Sequence, residues 1–112
     1  VPLPAFTVLD HVMVIKVYEV MDIASAAHVR ADLHRALRGC RGPRNVVVDL
    51  RSRCATSACV GVLKDTQRLA DRLRLRLLVT APHPLTRRVL RITSADGHLE
   101  IHPDLPAALQ AV

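Results

Sequence analysis

The sequence predicts an α/β fold: a single mixed sheet of four to five strands with crossover helices, in the order β-β-α-β-α-β-α-β-α. Three observations carry that expectation. Val46 to Leu50, VVVDL, is apolar without polar alternation, the pattern of a strand covered on both faces. Strand-like runs are separated by stretches whose apolar residues recur at three- and four-residue steps, so helices cross from one strand to the next, with right-handed connections. Only the first two runs, Phe6 to Leu9 and Val12 to Tyr18, lack a helix between them, and Asp10-His11 joins them as a hairpin.

The elements follow in order. After the hairpin, Ala26, Val29, Leu33, Ala36 and Leu37 form one apolar stripe of a helix whose other faces carry Arg30, Asp32, Arg35 and Arg38. Asp22 or Ser25 can accept from the orphan N–H groups at its start, and Gly39, Gly42 and Pro43 end it. VVVDL is the central strand. The polar turn after it, RSRCA, leads to a second helix opening on Thr56-Ser57, with Val60, Leu63, Ala70 and Leu73 as its stripe. Leu75 to Thr80, LRLLVT, returns to strand character. Pro82 and Pro84 mark a turn, and Pro84 suits the first turn of a third helix because its missing N–H has no partner to lose there. Leu85, Val89 and Ile92 are expected to form that helix's apolar face. Ser94-Ala95-Asp96-Gly97 reads as a turn, Leu99 to His102 as an edge strand, and Asp104 as the cap of a last helix through Leu109 and Val112.

Length and composition set limits on function. With 112 residues, half of them hydrophobic, residues 1–112 make one domain, able to bury roughly two-thirds of its unfolded surface. No apolar run approaches the roughly 20 residues needed to span a bilayer, so a soluble, cytoplasmic protein with no membrane partner is expected. VPLPAFTV lacks the basic and apolar regions of a signal peptide, and with no methionine ahead of it residue 1 need not be the natural start. Cys40, Cys54 and Cys59 are odd in number and form no CxxC pair, which argues for reduced thiols. The net charge of +6 favours acidic partners, and ten of the sixteen basic residues lie between Arg51 and Arg91.

Little in the chain points to catalysis. There is no triad motif, Walker loop or glycine-rich dinucleotide turn, so no enzyme activity and no cofactor is expected. His98, Glu100 and His102 alternate and would share one face of a strand, yet an edge position near the C-terminus suits solvated side chains better than a metal site. Cys59 near a helix start could have a lowered thiol pKa, against which stands a structural role with no histidine nearby in sequence. Lys64, Arg68 and Arg72 recur every four residues as a basic stripe, either a solvated face or a contact for an acidic protein.

Several motifs in the right order resemble the STAS domain of bacterial anti-sigma factor antagonists, the SpoIIAA-like fold. IKVYEVMDIASAAHVRADLHRAL is similar to the family's strand, Gly-Glu-Leu-Asp-Leu-Ala-Thr-Ala turn and helix, with Asp22, Ala24, Ser25 and Ala26 in matching places. VVVDL matches its central strand. LRLLVTAPHPLTRRVLRIT followed by HLEIHPDLPAAL resembles its C-terminal third, including the Pro84-led helix with Arg87-Arg88-Val89-Leu90. The family's central loop reads Asp-Ser-Ser/Thr-Gly-Leu, and its first serine is phosphorylated by a partner that is both kinase and anti-sigma factor. Here the loop has diverged. Aligning Val60 to Leu63 with the family's Leu-x-x-Leu puts Ser57 at the phosphoacceptor, Thr56 at the aspartate, Ala58 at the second hydroxyl residue and Cys59 at the glycine, with one residue deleted after Asp49. Counting from Asp49 without a deletion puts Ser57 at the aspartate and Ala58 at the phosphoacceptor, leaving no hydroxyl to modify. The first register keeps the second helix in phase with its stripe.

The resemblance implies a non-enzymatic antagonist that binds an anti-sigma factor with serine kinase activity and releases a sigma factor by competition. The contacts it implies are Asp22, Ser25, Thr56, Ser57, Ala58, Cys59, Lys64 and Arg68, with Ser57, or else Thr56, as the modified hydroxyl. Ser57 as a simple helix cap, in a binder that is never phosphorylated, is the competing reading. Two other classes remain: a STAS regulatory subunit or ligand or nucleotide sensor of another complex, such as a transporter, and a basic nucleic-acid binder. One Tyr, one Phe and no Trp serve base stacking poorly, which disfavours the last.

Overall fold

The computed structural model describes residues 5–9, 11–93 and 99–112. Its elements are β1 (Ala5–Leu9), β2 (Val12–Val17), α1 (Ile23–Arg38), β3 (Asn45–Leu50), α2 (Ser57–Arg72), β4 (Arg76–Thr80), α3 (Pro84–Thr93), β5 (Glu100–His102) and α4 (Leu105–Ala111), the order expected from the sequence. The turn at Ser94-Ala95-Asp96-Gly97, together with Asp10 and His98, lies outside the described residues.

The strands form one five-stranded sheet in sequence order. β1 is antiparallel to β2, with Leu9 opposite Val12, and every later pair is parallel. β3 sits in the middle: Val46 faces Met13 on one side and Leu77 on the other. Parallel strands joined by helices all end at the same edge of the sheet, so the loops entering α1, α2 and α3 leave together from the C-terminal ends of β2, β3 and β4.

Strand periodicity divides the interior into two cores. Met13, Ile15, Val17, Val46, Val48, Leu50, Leu77 and Val79 pack against Val29, Leu33 and Leu37 of α1, Val60, Leu63, Leu69 and Ala70 of α2, and Leu90 of α3. On the opposite face, Val12, Val14, Val47 and Leu78 pack with Ala108 of α4. The continuous apolar run of β3 follows from this arrangement, since Val46 and Val48 serve one core and Val47 the other.

The helix ends are closed by local chemistry. Asp22 and Ser25 form a reciprocal capping box at α1: the carboxylate accepts the Ser25 N–H at 2.8 Å, and the Ser25 hydroxyl accepts the Asp22 N–H at 3.1 Å. Gly39 closes its C-terminus. At the end of α2 the Leu75 N–H reaches the Ala70 carbonyl at 2.8 Å and the Arg74 N–H reaches the Asp71 carbonyl at 3.2 Å, a Schellman turn. Its left-handed position, ordinarily a glycine, is held by Arg74 at φ 58. Two expected faces are corrected. Leu85 and Ile92 of α3 are exposed and Val89 is half-buried, while Thr86 and Leu90 face inward, because the Thr86 hydroxyl donates to the Ser52 carbonyl at 2.9 Å and so fixes the helix's rotation. Leu73, expected in the stripe of α2, is the C-cap and is exposed.

Candidate functional site

The three loops at the C-terminal edge of the sheet are tied to one another by side-chain hydrogen bonds. Thr56 is the N-cap of α2: its hydroxyl oxygen accepts the Cys59 N–H at 3.1 Å and donates to the carbonyl of Met21, which stands just before the cap of α1. Thr86 holds the start of α3 to Ser52 of the β3–α2 loop. Below them, Asp49 of β3 is fully buried; it accepts from the Thr80 hydroxyl at 2.6 Å and lies 3.3 Å from the Arg51 guanidinium. A buried carboxylate is tolerable only with such partners. Together these contacts fix where the β3–α2 loop begins and ends.

Ser57 is the first residue of α2 and is exposed. Its hydroxyl makes no hydrogen bond among the described residues, and neither its N–H nor that of Ala58 finds an acceptor there. The expectation that Ser57 caps the helix is therefore corrected: Thr56 caps it, and the Ser57 hydroxyl is left free beside two open N–H groups at the positive end of the helix dipole. Thr56, the other hydroxyl considered for modification, is half-buried and engaged as both donor and acceptor. α2 starts at Ser57 and buries Val60 and Leu63, the apolar stripe expected of it.

The remaining expected site residues divide by position. Asp22 and Ser25 stand on the same edge as Thr56 but are spent on capping α1, and the N–H and hydroxyl of Ser25 hold the Asp22 carboxyl below the usual aspartate range. Ala58 is half-buried beside Ser57. Cys59 drops out as a surface contact and as a reactive thiol: it faces the core, and burial pushes its pKa up to about 11 rather than down. Lys64 and Arg68 lie along α2, roughly 10 and 16 Å from Ser57 at 1.5 Å per residue, farther than adjacent contacts would be. Arg68 pairs with Asp65 at 2.8 Å, and Asp65 also reaches Arg30 of α1 at 3.2 Å, so part of the basic stripe is internally neutralised. His102 and Glu100 are hydrogen-bonded at 2.9 Å, but Glu100 is also held by Arg76 at 2.6 Å, and His98 lies outside the described residues.

Sequence reasoning missed an apolar component of this edge. Tyr18 and Val20, on the loop that Thr56 grips through Met21, and Ile23, the first residue of α1, are exposed, Ile23 to 91 %. Leu85, at the start of α3, is exposed at the end of β4. The available signal is Tyr18, taken in the sequence as the end of the second strand although β2 pairing stops at Val17, and Val20 just beyond it. Exposed apolar residues gathered beside a free hydroxyl on a helix start suit contact with another protein.

Comparison with known proteins agrees with this geometry. No curated protein matches the sequence. Among solved structures, an anti-sigma factor antagonist from Mycobacterium paratuberculosis is 24% identical, with a TM-score of 0.80 over 97% of this chain and 92% of that one. RsbS of Moorella thermoacetica, as a serine-to-glutamate variant, is 21% identical with a TM-score of 0.76, covering 96% of this chain and 92% of that chain. The anti-sigma factor antagonist SpoIIAA, a Bacillus cell fate determinant, is 17% identical; its unphosphorylated form gives a TM-score of 0.67 over 96% of this chain and 98% of that chain, and its phosphorylated form 0.59 over 96% and 100%. The STAS domain model matches residues 4–108, and with the sheet, helix order and loop edge described above this chain belongs to the STAS domain family.

Proposed function

We propose that this chain is a non-enzymatic anti-sigma factor antagonist, which docks a kinase-type anti-sigma factor with the edge carrying Ser57 and thereby releases a sigma factor. The observation that carries the reading is the free Ser57 hydroxyl at the start of α2, beside the exposed Tyr18, Val20 and Ile23. The apolar side chains supply the docking energy, and the hydroxyl supplies a switch. A phosphate there adds about −1.5 to −2 charges. It is held by the open N–H groups of Ser57 and Ala58 without any change in fold, and it blocks docking by desolvation and repulsion.

The test uses the intact chain as bait in extract from its native host, followed by incubation of the retained partner with ATP. The expected result is recovery of an ATPase-type kinase that phosphorylates Ser57 and leaves Thr56 unmodified. Ile23→Ser should weaken that complex about tenfold, the loss expected when one isoleucine no longer buries its surface. Failure to retain any such kinase, under conditions where an established antagonist retains its own, would count decisively against the reading.

A further inference from the structure

The opposite end of the domain carries a second feature, independent of the Ser57 edge. Where α1 and α2 end and β3 begins, a hollow of about 390 Å³ opens to solvent. Leu37, Leu73 and Leu75 form its apolar wall, and Arg38, Arg41 and Arg44 line it as well. None of the three arginines makes a side-chain hydrogen bond or ion pair among the described residues. The nearby acids are committed elsewhere: Asp32 to Arg35, Asp65 to Arg30 and Arg68, and Asp71 to Gln67.

Helix electrostatics accounts for part of this charge only. Arg38 lies in the last turn of α1, where a cation offsets the negative end of the dipole. Arg41 and Arg44 lie beyond the helix. Arg38, Arg41 and Arg44 line one hollow with no acid paired to any of them among the described residues, so an anion entering it meets three uncompensated cations. Their planar forks match phosphate oxygens two at a time. The volume lies in the range of small-molecule sites, and the leucine wall offers contact to a non-polar body.

We propose that this hollow binds a small organic phosphate, in which a phosphate or pyrophosphate group engages Arg41, Arg44 and Arg38 and an apolar portion rests on Leu73 and Leu75. Calorimetric titration of the full chain at low ionic strength with phenyl phosphate, inorganic phosphate and phosphatidylglycerol vesicles tests it. Phenyl phosphate should bind saturably and more tightly than inorganic phosphate. The double variant Arg41→Gln with Arg44→Gln should weaken both by roughly tenfold or more, with its thermal midpoint unchanged because both side chains are exposed. Leu73→Ser should weaken phenyl phosphate alone. Absence of saturable binding to either soluble phosphate, binding indifferent to the double variant, or binding to vesicles only would each overturn the proposal, the last in favour of a membrane-facing patch.

Discussion

Replacing Thr56 by valine removes one oxygen and two hydrogen bonds while keeping the side chain's shape. The first loss is the cap on the Cys59 N–H, worth about 1 kcal/mol at a helix start. The second is the donor to the Met21 carbonyl, where Met21 itself is buried, worth about another 1 kcal/mol. The sum is about 2 kcal/mol. Unfolding entropy near the midpoint is about 2.1 cal/mol/K per residue, or about 235 cal/mol/K for 112 residues, so the thermal midpoint should fall by about 8 °C. Ser57→Ala, one residue along, removes a hydroxyl without partners among the described residues and should stay within about 0.5 kcal/mol of the parent. Thr56→Ser keeps the oxygen and should recover most of the loss. Circular dichroism melts and urea titrations of the three variants suffice. If Thr56→Val matches the parent, or Ser57→Ala costs as much as Thr56→Val, the division of roles between the two hydroxyls is wrong.

Arg74→Gly relieves the left-handed residue of the Schellman turn and should stabilise the chain by about 1 kcal/mol, read as a midpoint about 4 °C higher; an unchanged or lower midpoint would contradict the assignment of that strain. His34 is half-buried, its Nε2 atom is enclosed without a hydrogen-bond partner among the described residues, and burial followed by Arg30 and Arg38 lowers its pKa, with Arg72 adding to this and Asp65 opposing it. The unfolded chain therefore takes up the proton first, so the stability contributed by neutral His34 is complete above the ordinary histidine value of about 6.5 and is lost as pH falls below it. The midpoint should drop between pH 7 and 5 more steeply for the parent than for His34→Leu, and equal slopes would remove His34 from the account.

Most of the architecture could be read from the chain because the signals were periodic. The apolar run at Val46–Val48, the stripe through Val29, Leu33 and Leu37, and the capping residues Asp22 and Asp104 each depend on local spacing, and each stands where that spacing placed it. The rotation of α3 depended on a contact 34 residues away, Thr86 to Ser52, which no window on the helix contains. The site was legible as a place and not as a set of roles. Thr56 and Ser57 look interchangeable as caps in the sequence; the Met21 carbonyl, 35 residues distant, decides between them. Cys59 faces inward because the third position of this helix points at the core. Tyr18 and Ile23 went unnoticed because exposure of an apolar residue is set by what the fold leaves uncovered.

The cap at Thr56 also bears on how such a chain can change over generations. With the helix start secured by its neighbour, position 57 carries no duty to the fold, and most polar or small residues there would leave the domain equally stable. On the proposed function, a lineage could therefore acquire or discard responsiveness to a kinase through one codon while its docking edge stays the same. Position 56 has no such latitude, because a change there loosens two loops at once.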